Sequence, residues 1–317
     1  MDPELLDLLC CPRDQTAPLT VAEDSLSCPT CGALFPIDDG IVVFVSAQQL
    51  SEAEQREKDY RSAESAEYDD LYAGYTDAVE VPSVMRRVGR PLGPVLDAGC
   101  GTGRITEALM ALGQPIVAVD YSDACLRRML RRCAGARVLA VQSDLRSIPV
   151  RSDVMAAVTC MEVHQHVRDD DRPRFVAELA RVLTPGAPLV ISTFNFNLVF
   201  RAWSLLGNDG ARRGEHVLGN DYPYRRFGRG EFAGELSTAL DVEELTGIRN
   251  IPARSLAQAI RRIGAVRAGD RFQTFMTERG LRADHFLERT PVARALGFFW
   301  LARAVKRAES SKGPAGP

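Results

Sequence analysis

A glycine-rich turn is the feature that most constrains how this chain can fold. Residues 95–104 read VLDAGCGTGR, an apolar run followed by three alternate glycines and then by the helical pattern ITEALMAL. Glycines at a strand-to-helix turn let a ligand approach the backbone, and the helix start presents free N–H groups. The segment therefore predicts a nucleotide-type site. A dinucleotide fingerprint needs a third glycine where this chain has Arg104, which disfavours NAD and an oxidoreductase.

From residue 94 onward, short apolar runs alternate with helix-length polar segments, a pattern typical of a parallel sheet covered by helices. We expect an α/β fold with a Rossmann-like, mostly parallel, seven-stranded sheet and helices on both faces. A helix is predicted through residues 175–182, and two more at 255–263 and 272–278. The predicted strands span residues 95–97, 116–119, 138–142, 154–160, 188–193, 241–246 and 296–305.

Three acidic residues lie at or just after the first three predicted strands of this sheet. Asp97 precedes the glycines and suits a positively charged ligand group, such as the ammonium of a methionine moiety. Asp120 ends the second strand, where a carboxylate can accept both hydroxyls of a ribose. Asp144 follows the third, where it can accept from an adenine amino group while Leu145 covers the ring. Their order, together with the glycine turn, indicates one nucleoside-bearing cofactor.

Several of these segments resemble successive motifs of the class I S-adenosylmethionine-dependent methyltransferases, including the ubiquinone and menaquinone biosynthesis type. The matching segments are VLDAGCGTGR, AVDYS, SDL, VTCMEVHQHV and LTPGAPLVIST, within residues 60–195. The resemblance implies S-adenosyl-L-methionine as cofactor and a Tyr-rich segment that closes its pocket. The residues expected to bind the cofactor are Asp97, Gly99, Cys100, Gly101, Gly103, Asp120, Tyr121, Asp144, Leu145 and Met161, with Tyr68 and Tyr72 as closing residues or as core.

Methyl transfer needs in-line positioning and, for a hydroxyl acceptor, a base that removes its proton. His164 and His166 follow the fourth predicted strand, at the sheet edge where ligands bind in such folds. Family members often read EVLEHV here, so His166 falls on a familiar position and His164 replaces an apolar residue. Either histidine is a catalytic candidate or a structural residue. Glu162 is a third candidate base, or caps a helix.

The acceptor pocket is expected after the fifth strand, because the family lines it with the segment that follows. Apolar and aromatic residues with a few amides suit a small organic substrate. Residues 251–291 form a longer insertion than family members have, either a substrate lid or the surface of a homodimer. The candidate substrate-binding residues are Phe194, Asn195, Asn197, Tyr222 and Tyr224, with ordinary loop and core as the alternative.

The first 45 residues carry four closely spaced cysteines and read as a separate small module. Cys28 and Cys31 form a CxxC metal knuckle, and Cys11 with Asp14 makes its partner with one ligand changed. Cys10 is an alternative fourth ligand to Asp14. The run resembles the small zinc-ribbon protein that activates tRNA, rRNA and protein methyltransferases in trans. It implies a structural zinc, which would stabilise a module too small to fold readily on its core alone.

Four divisions of the chain are predicted: the zinc-ribbon-like module (1–45), a linker with cap helices (46–90), the methyltransferase domain (91–308) and a disordered tail (309–317). No secretory signal or membrane span is recognisable, so a cytoplasmic protein is expected. The net charge of −3 disfavours nucleic acid as a partner. We expect methylation of a small biosynthetic or secondary metabolite. The alternatives are an RNA methyltransferase, which the ribbon favours, and a non-catalytic cofactor-binding activator.

Overall fold

The computed structural model describes residues 2–45, 75–205, 213–217, 220–250, 271, 275 and 281–308. Tyr68, Tyr72, the predicted helix at 255–263 and the tail at 309–317 lie outside the described residues. So do all but one residue of the predicted helix at 272–278 and the side chain of Tyr222. Among the helices within the described ranges, none is long and apolar enough to cross a membrane.

The N-terminal module consists of one short helix and four short strands around a small apolar core. The helix begins at Pro3 because the Asp2 side chain accepts the N–H of Glu4 and a proline suits the first helical position. Buried Leu5, Leu26 and Phe35 contribute to its packing. The elements are α1 (Pro3–Leu6), β1 (Thr20–Val21), β2 (Ser25–Ser27), β3 (Leu34–Asp38) and β4 (Ile41–Val43).

The larger part of the chain alternates strands and helices until β9 and then returns as antiparallel strands. The first set of elements is α2 (Tyr75–Val88), β5 (Val95–Ala98), α3 (Arg104–Leu109), β6 (Ile116–Asp120), α4 (Asp123–Arg132), β7 (Val138–Gln142), β8 (Ala157–Cys160), α5 (Arg172–Val182) and β9 (Pro188–Phe194). The second set is α6 (Leu198–Leu205), β10 (Arg213–Val217), β11 (Asn220–Arg225), α7 (Arg229–Leu236), β12 (Leu240–Ile248), α8 (Leu281–Glu288), α9 (Pro291–Leu296) and β13 (Phe299–Lys306).

The seven predicted strands lie next to one another in the order β7-β6-β5-β8-β9-β13-β12, within a sheet that has eleven strands in the described part of the chain. The first five run parallel, and β13 pairs antiparallel with both β9 and β12. The α/β prediction is confirmed, with small changes in strand ends. The fourth strand starts only at Ala157, because Met155 instead donates its N–H to the carbonyl of Val182, the last residue of α5, and accepts the N–H of Thr184.

The N-terminal module continues this sheet, a feature that the sequence did not predict. Strand β4 pairs parallel with β7, with Ile41 opposite Ala140, and Phe44 donates its N–H to the Gln142 carbonyl at 2.9 Å. The module's other strands follow outward in the order β3-β2-β1. Arg127 on α4 adds ion pairs to Asp38 and Asp39 at the turn between β3 and β4. Module and sheet therefore share one continuous hydrogen-bonded ladder.

Strands β5 to β9 are buried almost throughout, as expected for a parallel sheet with helices on both faces. Helix α5 lays its apolar stripe against the sheet through Phe175, Val176 and Leu179. Because these strands run in one direction, their carboxyl ends meet at a single edge. That edge gathers the glycine turn, the three acidic positions and the segment with two histidines.

Candidate functional site

A cavity of about 200 Å³ opens at the carboxyl ends of β5, β6, β7 and β8. It lies where ligands bind in open α/β sheets, outside the strand ends. The expected residues that line it are Gly99, Gly101, Asp120, Tyr121, Asp144, Leu145, Met161, Glu162 and His166. Thr102, Ser122, Cys125, Ser143, Arg146, Val163, Val167, Arg168, Asp171 and Phe175 complete the lining, and sequence reasoning did not single them out.

The glycine turn is held in a form that other residues would not fit. Gly99 has φ of +74°, and a Cβ there would lie 2.2 Å from Cγ2 of Val163. Gly103 has φ of +88°, and its Cβ would lie 2.6 Å from Cγ of Met129. Both glycines are thus required by backbone angle and by space. Gly103 packs against a helix and does not line the cavity, and Cys100 is buried in the core.

Asp120 ties the glycine turn to the start of α4. One carboxylate oxygen accepts the N–H of Gly101 and the other accepts the N–H of Ser122, each at 2.8 Å. The same carboxylate lines the cavity at the end of β6. These two hydrogen bonds fix the orientation of the carboxylate at the edge of the cavity.

Asp97 lies beneath the turn and outside the cavity lining. Its carboxylate accepts hydrogen bonds from the hydroxyls of Thr106 at 2.6 Å and Thr159 at 2.8 Å, and the side chain is buried. Burial raises the pKa of Asp97 to about 6, and the two hydroxyl donors oppose that rise. In this structure Asp97 braces β5 against α3 and β8.

The segment after β7 carries the third acid. Asp144 forms an ion pair with Arg146, whose guanidinium also reaches Asp171 at 2.9 Å. Both acids and Arg146 line the cavity beside Leu145. The Asp144 carboxylate is therefore paired with the Arg146 guanidinium. Arg146 was not predicted, because a single arginine in a loop belongs to no recognisable motif.

Glu162 and His166 stand at the cavity's β8 side. Glu162 adopts φ of +58° and donates its backbone N–H to the Ser192 hydroxyl at 2.8 Å. Its carboxylate lies 3.9 Å from the guanidinium of Arg104 and 3.7 Å from that of Arg249. The His166 ring, on the short 3₁₀ turn that follows, lies edge-on to Phe194 with 6.3 Å between centroids. Both residues line the cavity.

His164 is not brought to the cavity, so the geometry does not fit a catalytic base at this position. Its ring is fully buried, and its nitrogens lie 3.1 Å from the Thr193 hydroxyl and 2.8 Å from the Glu235 carboxylate. The rings of Phe227 and Phe232 pack edge-on against it. Burial lowers the pKa of His164, and the Glu235 carboxylate opposes that shift. Because the two histidines lie on a 3₁₀ turn, their side chains point in different directions. Their spacing in the sequence does not reveal this difference.

The residues expected to line an acceptor pocket after β9 lie elsewhere than in this cavity. Asn195 is buried and donates to the Gly297 carbonyl at 2.8 Å, and Asn197 donates to the same carbonyl at 3.2 Å. The Asn197 oxygen also accepts the N–H groups of Val199 and Phe200, so it caps α6. Both amides hold local structure. Phe194 and Tyr224 stack edge-to-face with 5.4 Å between centroids, beside His166.

The four predicted metal ligands come together in the module. The ligand atoms of Cys11, Asp14, Cys28 and Cys31 all lie within 4.8 Å of one another. Asp14 also accepts the N–H of Thr16 at 2.9 Å, which orients its carboxylate. Cys10 is excluded from this cluster: its thiol points to Gln15 at 3.5 Å, and burial raises its pKa to about 11. Three thiols and one carboxylate form a donor set that suits tetrahedral zinc.

Comparison with known proteins agrees with this architecture. The methyltransferase domain model matches residues 95–186, and the Trm112p-like protein model matches residues 2–40. A ubiquinone biosynthesis O-methyltransferase of Xanthomonas campestris pv. campestris strain B100 is 30% identical over 189 residues, covering 57% of this chain and 76% of the relative. One from Xylella fastidiosa strain M23 is 28% identical over 223 residues, covering 63% and 87%.

The solved complex of the Haloferax volcanii Trm112 methyltransferase activator with a methyltransferase is 15% identical. It covers 82% of this chain and 99% of that chain with a TM-score of 0.52, a likeness of fold. Fold and sheet-edge site together define an enzyme that transfers methyl groups. The chain belongs to the class I S-adenosylmethionine-dependent methyltransferases, and S-adenosyl-L-methionine is its cofactor. A Trm112-like module precedes the catalytic part.

Proposed function

We propose that this enzyme methylates a hydroxyl group of a small organic acceptor. The observation that carries the proposal is the position of His166, which lines the sheet-edge cavity and also contacts the aromatic ring of Phe194 at the end of β9. A proton acceptor thus stands between the cavity and the buried ring of Phe194. The names of the relatives, O-methyltransferases of ubiquinone biosynthesis, support a hydroxyl acceptor.

The residues around the cavity fit the cofactor. We assign the glycines 99 and 101 to close backbone approach, Asp120 to the ribose hydroxyls, Leu145 to the adenine face and Met161 to the neighbourhood of the sulfonium. Carboxylate, glycine backbone and apolar side chains are the groups that such a molecule requires. When bound, the cofactor supplies an electrophilic methyl group on a positively charged sulfur. The enzyme's own task is then to orient the acceptor and to remove its proton.

Transfer to a hydroxyl forms a C–O bond, breaks the C–S bond and releases the hydroxyl proton. His166 accepts that proton in our proposal, because its ring reaches the cavity whereas the His164 ring does not. Glu162 lies between two arginines and acts as their charge partner. We also propose domain boundaries at residues 45 and 90. For residues 251–291 we propose a role as a substrate lid or as the surface of a homodimer.

RNA methylation is the second candidate function. It is favoured by one specific observation, the Trm112-like module at residues 2–40. The net charge of −3 opposes it, since proteins that grip a phosphate backbone carry a local or global excess of positive charge.

Methyl transfer to a panel of hydroxylated aromatic compounds and to unmodified tRNA and rRNA tests the proposal. We expect methyl ethers from the small acceptors. His166→Gln should lower kcat by about 10²- to 10⁴-fold, the usual contribution of a positioned base, with little change in cofactor affinity. The pH at which kcat rises should also change in this variant.

The matched control is His285→Gln, since His285 bonds the Val79 carbonyl at 3.4 Å and lies outside the cavity lining. Turnover of the control should equal that of the parent enzyme. Methylated RNA without any methylated small molecule would contradict the proposal, and so would an unchanged kcat in His166→Gln.

A further inference from the structure

Helix α5 is bonded along its length to the segment that follows β7. The Glu178 carboxylate accepts the N–H of Ile148 at 2.9 Å. The Arg181 guanidinium donates to the carbonyls of Ile148 at 2.8 Å and of Val150 at 2.7 Å. The start of α5 is thereby held beside the part of this segment that lines the cavity, residues 143–146.

Asp171 immediately precedes α5, in the N-cap position, but its carboxylate does not cap the helix. An N-cap aspartate usually accepts a backbone N–H of the first turn, and the Asp171 side chain makes no such bond. Its Oδ2 accepts instead from Nη1 of Arg146 at 2.9 Å. Among the described residues, none donates a hydrogen bond to its Oδ1. The side chain is 30% exposed and lines the cavity, so this oxygen is available to a ligand.

Asp144, the acid that the sequence predicts as partner of the adenine amino group, is occupied by one neighbour. Its Oδ1 accepts the backbone N–H of Arg146 at 2.7 Å and Nε of the same residue at 3.0 Å. Its Oδ2 accepts from Nε at 2.8 Å and from Nη2. A carboxylate offers about four lone-pair sites, so an amino group would have to displace a charged donor to bond Asp144.

The other two acids of the lining are directed to different contacts. The Asp120 carboxylate holds two backbone N–H groups at the glycine turn. The Glu162 carboxylate faces the guanidinium groups of Arg104 and Arg249. Of the four acids that line the cavity, Asp171 is thus the one that presents a carboxylate oxygen to it without a bond to a described residue.

We propose that Asp171 determines specificity for adenine by accepting a hydrogen bond from its 6-amino group, and that Arg146 is the positioning residue that orients Asp171. The inference rests on the proposed placement of the adenine against Leu145 and names the residue that recognises the edge of the base. Leu145 and Arg146 are consecutive, and Arg146 joins Asp171 to their side of the cavity. An amino group donates and a carboxylate accepts, whereas an oxygen on the base would set two acceptors against each other.

Two ligands that differ only at the edge of the base test this inference. We would titrate S-adenosylhomocysteine and S-inosylhomocysteine into the full chain by calorimetry. The first carries the 6-amino donor, and the second carries an oxygen in its place. The parent enzyme should bind S-adenosylhomocysteine about 10- to 100-fold more tightly, the range expected for one hydrogen bond to a charged group.

Asp171→Asn should reverse this preference or abolish it. The Arg146 guanidinium only donates, so it draws the amide oxygen of the new side chain and leaves the amide N–H groups for the ligand. These groups suit the oxygen of S-inosylhomocysteine and oppose the amino group of S-adenosylhomocysteine. Asp171→Ser removes the charge without this reversal, so it should bind the two ligands within about threefold of each other. Should Asp171→Asn fail to fold, Asp171→Ser decides the question.

The matched controls are Asp170→Asn and Asp144→Asn. Asp170 is exposed, next to Asp171 in the chain and outside the cavity lining, so its variant should bind both ligands as the parent enzyme does. Asp144→Asn should keep the preference for S-adenosylhomocysteine, even where both affinities fall. Leu145→Ala should weaken both ligands alike, which checks the placement of the base separately.

Equal binding of the two ligands by the parent enzyme would overturn the inference, as would an undiminished preference in Asp171→Asn or Asp171→Ser. Loss of the preference in Asp144→Asn would return the role to Asp144, and unchanged binding in Leu145→Ala would remove the placement on which the inference rests. These titrations contain no methyl acceptor. Their failure therefore leaves the proposed methylation of a hydroxyl group standing, and failure of that methylation leaves the recognition of adenine standing.

Discussion

The metal-ligand cluster and the sheet-edge cavity are built in opposite ways. The cluster draws its ligands from residues 11–31, within two neighbouring turns of one small module. The cavity draws its lining from the ends of four strands and from residues 99–175. Local spacing is therefore enough to define the first site, whereas the second depends on the order of the strands in the sheet. Their sensitivity to single changes should differ in the same way.

The two sites are nevertheless neighbours through residues 143–151. The Ser147 hydroxyl donates to the Pro12 carbonyl at 3.0 Å, and the Cys10 N–H donates to the Pro149 carbonyl at 3.1 Å. The same segment supplies Asp144 and Leu145 to the cavity lining. The independence of the two sites can thus be tested. We would alter the metal-ligand cluster and measure cofactor binding, and alter the sheet-edge cavity and measure metal content.

The largest effect is expected at the centre of the assembled site. Asp120→Ala removes a carboxylate that lines the cavity and holds two backbone N–H groups, so it loses both ligand and turn contacts. Hydrogen bonds to a charged group contribute about 1.5–3 kcal/mol each, so S-adenosylhomocysteine affinity should fall at least about 100-fold by calorimetry. Metal content should not change. Asp123→Asn, on the first turn of α4, is the control, and unaltered binding in Asp120→Ala would refute the assignment.

A smaller effect is expected from two glycine substitutions in the methyltransferase domain, which separate the cost of backbone strain from the cost of a steric clash. Gly99→Ala and Gly113→Ala both place a side chain at positive φ, +74° and +68°, but only the first Cβ meets another atom, Cγ2 of Val163 at 2.2 Å. Overpacking costs about 1–3 kcal/mol, so Gly99→Ala should lower cofactor affinity roughly 10- to 100-fold and Gly113→Ala should not. Both should lower the free energy of unfolding in urea. Equal cofactor affinity in the two variants would contradict the assignment of Gly99 to close backbone approach by the cofactor.

The smallest effect on the cavity is expected from removing the metal. Chelation should release one zinc ion per chain and speed amide hydrogen exchange in residues 2–45, because the ligands no longer share an ion. Cofactor affinity should change by about twofold at most, as for sites that couple by roughly 0.5 kcal/mol. Cys28→Ser should behave like chelation, and Cys10→Ser should retain the metal. Absence of zinc from the parent protein would contradict this prediction. Loss of cofactor binding when the metal is removed would also contradict it, because the two sites would then not be independent.

Sequence reasoning identified those parts of the site that follow a strand directly. Asp120, Leu145, Met161 and Glu162 each come at or just after the end of a predicted strand, and all four line the cavity. A parallel sheet brings such positions together whatever the loops do. The metal ligands were likewise accessible from spacing, since both knuckles are local turns.

The remaining residues depend on side-chain direction, which spacing does not encode. His164 and His166 are two positions apart on a 3₁₀ turn, and only the second reaches the cavity. Asn195 and Asn197 were expected to face a substrate, but both donate to the carbonyl of Gly297 at the end of α9, about 100 residues further along the chain. Arg249 lies directly after the antiparallel strand β12, and no motif near it in the sequence indicates that it contacts Glu162.

The pairing of β4 with β7 has one more consequence, for association between molecules. A sheet ending at β7 would present a row of unpaired N–H and C=O groups, a template for edge-to-edge aggregation. Here β4 covers that row, and the outer boundary passes to β1, only two residues long. Very short edge strands are one of the means by which proteins discourage such pairing. The module that carries the metal ligands thus also closes one side of the catalytic sheet.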